Sequence, residues 1–285
     1  TKTHFAIAEI AARFAICPIS IAILWTTKTT PISEAILWMT FVIVQWNKHL
    51  RVIRLLLLGV ISLCCVLLLS RPILNAQSEN PLPPLSDLVV SKLKTIAMIG
   101  EARANNRYVF AKVGDSITVS DHFLNPIGDG LYQLGDHTYL QPVINAFLQT
   151  PVREGNSFNN PSVAAVVGWA AFSALSPRVA DPYQCQVGES PLVCEYRIIQ
   201  PSIAFIMFGT NDTGYRTDDE YRHDMQTIID RSMERGIIPV LSTIPPLPRR
   251  MDRVSAFNTI LRDMAAANDL PIIDLAAALA GLPND

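Results

Sequence analysis

The chain has 285 residues, a formal net charge of −2 and 49% hydrophobic residues. That is room for one large domain or two small ones, and a charge so near neutral gives no support to a nucleic-acid or anionic-surface partner. The apolar excess is uneven: it sits in the first 76 residues, whereas 77–285 mix apolar and polar residues in globular fashion.

Three apolar stretches come first. Phe5–Trp25 and Ile32–Trp46 are interrupted by Glu9, Arg13 and Glu34. For residues 1–47 two readings stay open, extra membrane segments or an artefact of gene calling ahead of Met39, and the artefact is preferred. The third stretch is ordered like a signal peptide: Lys48, Arg51 and Arg54 precede the uncharged run Leu55–Leu69, and Leu74-Asn75-Ala76 offers a cleavage point. The run falls short of the ~20 residues of a full bilayer crossing. Residues 48–76 are therefore expected to be a signal peptide, with an uncleaved anchor as the alternative. The expected location is secreted or extracytoplasmic, with membrane contact only through this segment. Residues 77–86, with Pro81, Pro83 and Pro84, have the composition of a linker.

Beyond the linker, short apolar runs alternate with helical patterns. Tyr108–Val113, Ser202–Phe208, Ile237–Ser242 and Pro271–Leu275 read as strands apolar on both faces, the mark of a parallel sheet covered by helices. Thr217 and Glu220 form a capping box that opens a helix with Tyr221, Met225, Ile228, Ile229 and Ser232 inward, ended by Gly236. A further helix spans about Arg253 to Ala267, with Phe257, Ile260, Leu261 and Met264 inward. The rhythm predicts a three-layer α/β/α sandwich over 87–285. Cys17, Cys64 and Cys65 lie in the apolar stretches; Cys185 and Cys194 close a short loop and, in an exported chain, are expected to pair. Without export, two free thiols are the expectation.

Two polar motifs sit where strands end, the place where open parallel sheets hold ligands. Gly114-Asp115-Ser116 follows the first strand and offers a serine nucleophile if a base reaches it; alone it reads equally as a capped turn. Gly209-Thr210-Asn211-Asp212 follows the second, and an Asn amide has two donors for an oxyanion; alone it reads as an Asx turn. Their joint occurrence favours chemistry.

Over roughly residues 87–285 the chain resembles the SGNH/GDSL hydrolase family. Tyr108–Thr118 resembles the block that carries the nucleophile, Phe208–Asp212 the block with the oxyanion-hole Asn, and Leu270–Leu275 the segment before the last block. The resemblance implies an SGNH-hydrolase/flavodoxin-like sandwich and a serine ester hydrolase with Ser116, Gly168 and Asn211 in catalytic roles. Gly168 is the preferred backbone N–H donor, against a helix-packing role beside Trp169; Gly155 is the weaker candidate. The family's Asp-x-x-His block does not occur after Asp274, which is read as truncation, so this fragment is expected to be nearly inactive. His4 and His49 lie outside the domain, and His223 belongs to the solvated helix face. His122 and His137 read as surface residues, His122 being the better substitute base.

No cofactor or metal is implied, since no His/Cys/Asp set has metal-ligand spacing. The expected partner is a small-molecule or glycan ester. Two alternatives are kept: a non-catalytic exported glycan-binding or surface protein with the hydrolase fold, and a membrane-bound acyl-group transferase.

Overall fold

The computed structural model describes residues 84–280. The signal-like stretch, residues 1–47 and all but the last three residues of the linker lie outside the described residues.

Ser86, the last linker residue, caps helix α1 (Asp87–Ala102) by accepting the Val89 N–H at 3.3 Å. Strand β1 (Asn106–Gly114) follows, then α2 (Ser116–Val119), α3 (Asn125–Gly128) and α4 (Gln141–Leu148). A small antiparallel hairpin, β2 (Pro151–Val152) and β3 (Gly155–Asn156), precedes α5 (Ala171–Leu175) and α6 (Pro191–Ile199). The remainder alternates: β4 (Pro201–Met207), α7 (Asp218–Glu234), β5 (Ile238–Ser242), α8 (Met251–Ala267), β6 (Ile272–Ile273) and α9 (Leu275–Ala280).

The main sheet is parallel, in the order β1-β4-β5-β6. On its two faces the strands point alternate side chains, as a period of two demands. Val109, Ala111, Val113, Ala204, Ile206 and Leu241 enter one core with side chains of α1, α6, α7 and α8; Phe110, Ile203, Phe205, Met207 and Val240 enter another with α3 and α4. Two helical layers thus cover one sheet. In the second core Phe110 packs its ring 5.1 Å from both Phe158 and Phe205.

The capping box on α7 is formed, with Thr217 Oγ1 accepting the Glu220 N–H and the Glu220 carboxylate accepting the Thr217 N–H. All five residues expected inward on that helix are buried. Cys185 and Cys194 are disulfide-bonded. The fourth strand is shorter than expected. Pro271–Leu275 contracts to Ile272–Ile273 because the Asp274 carboxylate turns to cap α9, accepting the Ala277 N–H at 3.1 Å.

One pairing outside the named strands positions everything that follows. Gly114, the last residue of β1, bridges in parallel to Ala165, donating to Ala164 O at 3.2 Å and accepting from Val166 N at 3.3 Å. The segment 164–166 therefore lies on the edge of β1 opposite β4. The chain leaves β1 to one side, returns, and continues to the other. The strand order reverses at β1, the place where a crevice opens outside the carboxyl ends of a parallel sheet.

Candidate active site

Ser116, Gly168 and Asn211 each follow one of the three segments that meet at this reversal. Ser116 opens the short helix α2 and is exposed. Asp115 holds it there: its carboxylate accepts the Ile117 N–H at 3.0 Å, which leaves the Ser116 N–H outside the cap. Asp115 is fully buried, burial pushes its carboxyl up, and its Oδ2 has no hydrogen-bond partner among the described residues.

Gly168 lies in no helix. The turn Val166–Trp169 is closed by the Trp169 N–H on Val166 O at 3.2 Å, and Gly168 has φ +81°. That is the third position of a type II turn, where a positive φ is required and glycine is favoured. A Cβ there would meet nothing within 4 Å, so the glycine is needed for its backbone and not for packing. This removes the helix-packing reading. Gly155, the weaker candidate, stands in the β2–β3 hairpin instead, where a Cβ would meet Asn159 Oδ1 at 2.5 Å.

Asn211 begins a short 3₁₀ turn (Asp212–Gly214) after β4. The exit from the strand is itself constrained: Gly209 has φ +135°, and a Cβ there would press on Ile244 and on the Tyr221 hydroxyl at 3.0 Å. That hydroxyl donates to Phe208 O at 2.8 Å, so α7 fixes the carbonyl just before the motif. Asn211 Nδ2 donates to Trp169 O at 2.8 Å, and the amide's second N–H is not spent on that bond. Next to it Asp212 accepts the Ala171 N–H at 3.1 Å.

The 164–171 segment is therefore held on both flanks, by the β1 end at Gly114 and by the β4 end at Asn211 and Asp212. The three residues expected to carry chemistry are gathered around one short stretch of chain. Missed in the sequence was Asp212, whose burial is complete. Desolvation drives its carboxyl up to about 6 against the pull of the Ala171 and Asp212 N–H groups, with Asp224 and Asp115 adding like charge. The only available signal was its place after Asn211, which says nothing about burial.

The rim is apolar and aromatic. Val167 is 66% exposed, and Phe172 and Tyr215 meet edge to face with centroids 6.3 Å apart. Arg216 lies over Phe172, 5.2 Å from its centroid, and is paired with Asp224. Beside this a depression of about 410 Å³ is lined by Thr213, Tyr215, Arg216, Thr217, Asp218 and Arg253.

Of the histidines, His223 is exposed on α7 as expected. His122 is exposed in the loop after α2, and His137 is set in the 3₁₀ stretch Gly135–Leu140, its ring 5.9 Å from that of Tyr139. Asp274 is committed to structure: burial pushes its carboxyl up, but Arg262, the Ala277 N–H and Thr243 outweigh this and hold it below the usual range. Among the described residues no group of three or more His, Cys, Asp or Glu side chains is arranged to hold a metal ion.

No curated protein matches the chain. Among solved structures, a GDSL-like lipase from Bacteroides thetaiotaomicron is similar: it is 14% identical, the match covers 65% of this chain and 78% of that one, and the TM-score is 0.33. The model of the GDSL-like Lipase/Acylhydrolase family matches residues 113–285. The match spans more than half of the chain and begins at the end of β1, and the chain belongs to the GDSL-like lipase/acylhydrolase family.

Proposed function

We propose that the protein is a serine ester hydrolase that works through an acyl-serine intermediate on a small ester or an O-acetylated glycan. Ser116 Oγ attacks the ester carbonyl, and the Ser116 and Gly168 N–H groups together with the Asn211 amide receive the oxyanion. The alkoxide departs with a proton, leaving an acyl-serine that water then hydrolyses. The observation that carries the reading is the double tether of the Gly168 turn, to Gly114 beside the nucleophile and to Asn211. The base that takes the Ser116 proton is a histidine held by a carboxylate, as in a Ser-His-Asp arrangement; among the described residues His122, in the loop after α2, is the candidate. The Cys185–Cys194 disulfide is consistent with an extracytoplasmic location.

The test is hydrolysis of a soluble acetyl ester by the full gene product and its variants. Ser116→Ala is expected to abolish turnover, and Asn211→Ala to lower kcat by about 10²–10³ with KM little changed. Equal rates for wild type and Ser116→Ala would overturn the proposal. Specific glycan binding together with such Ser116-independent rates would favour a non-catalytic binding protein.

A further inference from the structure

We infer that Asp212 is a positioning residue of this site: its carboxylate clamps the Ala171 N–H and thereby sets the Gly168 turn against Ser116 and Asn211. The inference rests on the esterase reading for its catalytic consequence, but the clamp itself does not.

Two adjacent side chains grip two groups of the same short segment. Asn211 Nδ2 takes Trp169 O at 2.8 Å, and Asp212 Oδ1 takes the Ala171 N–H at 3.1 Å. Trp169 closes the turn and Ala171 lies two residues beyond it. Ala171 is the first residue of α5, where an N–H has no partner inside the helix. The helix cap cannot supply one either, because Ala170 has no side-chain oxygen to offer. Asp212 meets that need from another element.

A carboxylate is a costly choice for this. Asp212 is fully buried, its Oδ2 has no hydrogen-bond partner among the described residues, and Asp115 and Asp224 contribute like charge. An isolated structural cap would be served by Ser, Thr or Asn without burying a charge. The carboxylate instead gives a strong, charge-assisted bond to one N–H, and its backbone continues from Asn211, so the donor amide and the turn move as one piece. A displacement of about 1 Å in such a constellation is enough to cost about 10² in rate.

The experiment compares wild type, Asp212→Ala and Asp212→Asn in the full gene product, with amide hydrogen exchange and steady-state ester hydrolysis on the same samples. Asp212→Ala is expected to speed exchange across 166–171 by at least about tenfold while β4 and α7 stay protected, and to lower kcat by about 10–10² with KM changed less than about threefold. Asp212→Asn keeps an oxygen for the Ala171 N–H but not the charge, and is expected to recover part of the protection and of kcat, short of wild type. Unchanged exchange across 166–171 in Asp212→Ala overturns the clamp, and faster exchange with unchanged kcat overturns its catalytic consequence. If Ser116→Ala hydrolyses as fast as wild type, the esterase reading fails while the exchange result still decides the clamp. Loss of protection throughout the chain in Asp212→Ala, not repaired by Asp212→Asn, assigns Asp212 to general stability and contradicts the inference.

Discussion

Asp212 shows what a buried carboxylate does to the pH dependence of folding. Its carboxyl titrates near 3.8 as an ordinary Asp and is driven up to about 6 in the fold, first by burial. Between those values the folded chain keeps a proton that the unfolded chain has released. Stability attributable to this group therefore falls as pH rises through the window and is level above it. Asp212→Asn has no such titration. Relative to wild type, the variant is expected to gain roughly 2 kcal/mol in unfolding free energy between about pH 4 and pH 7. Urea denaturation at both pH values checks this, and an offset that does not change with pH contradicts it. Nothing in the sequence distinguishes this Asp from a solvated turn residue. The motifs that hold Ser116 and Asn211 stood out because each opens on a glycine at the end of an apolar run. The grip of Asp212 depends on a contact between residues 41 positions apart.

At the scale of elements, α7 was the most legible helix. Thr217 and Glu220 mark its start, and the buried series Tyr221, Met225, Ile228, Ile229 and Ser232 is as the periodicity requires. Its job at the site was not legible. Tyr221 stacks on Phe257 at 4.1 Å and sends its hydroxyl to Phe208 O at 2.8 Å, so the helix anchors the end of β4. Removing that hydroxyl leaves a buried carbonyl without its donor while preserving the ring stack. Tyr221→Phe is thus expected to cost about 1–2 kcal/mol, read from urea denaturation at constant pH, and a change below about 0.3 kcal/mol contradicts the role. Helix α1 escaped the sequence analysis for a different reason. Only Leu93, Ile96 and Gly100 are buried on it, whereas Leu88 and Met98 are exposed, so its apolar residues do not trace one stripe. The 164–166 strand is too short to leave a periodic signal and exists only through its bridge to Gly114.

For the whole molecule, the three-layer order followed from the alternation of two-faced apolar strands with capped helices. What alternation does not contain is the strand order. The reversal at β1 comes from the Gly114–Ala165 bridge on one edge and the long β1–β4 register on the other, and it is the reversal that sets the 164–171 segment beside the ends of β1 and β4. Buried charge was equally invisible. Lys112 reads as one polar residue in an apolar strand, yet it is buried, its Nζ donates to Phe158 O at 2.8 Å and to Asn125 Oδ1 at 3.2 Å, and burial drives its pKa down to about 8. It ties the loop before the Gly168 segment to the sheet from beneath. The proposed nucleophile, Ser116, is exposed and open to direct labelling. A fluorophosphonate probe incubated with the full gene product, followed by peptide mass mapping, is expected to modify one serine, Ser116, and to leave Ser116→Ala unlabelled. Label on any other residue, or equal labelling of the Ser116→Ala protein, would contradict the account.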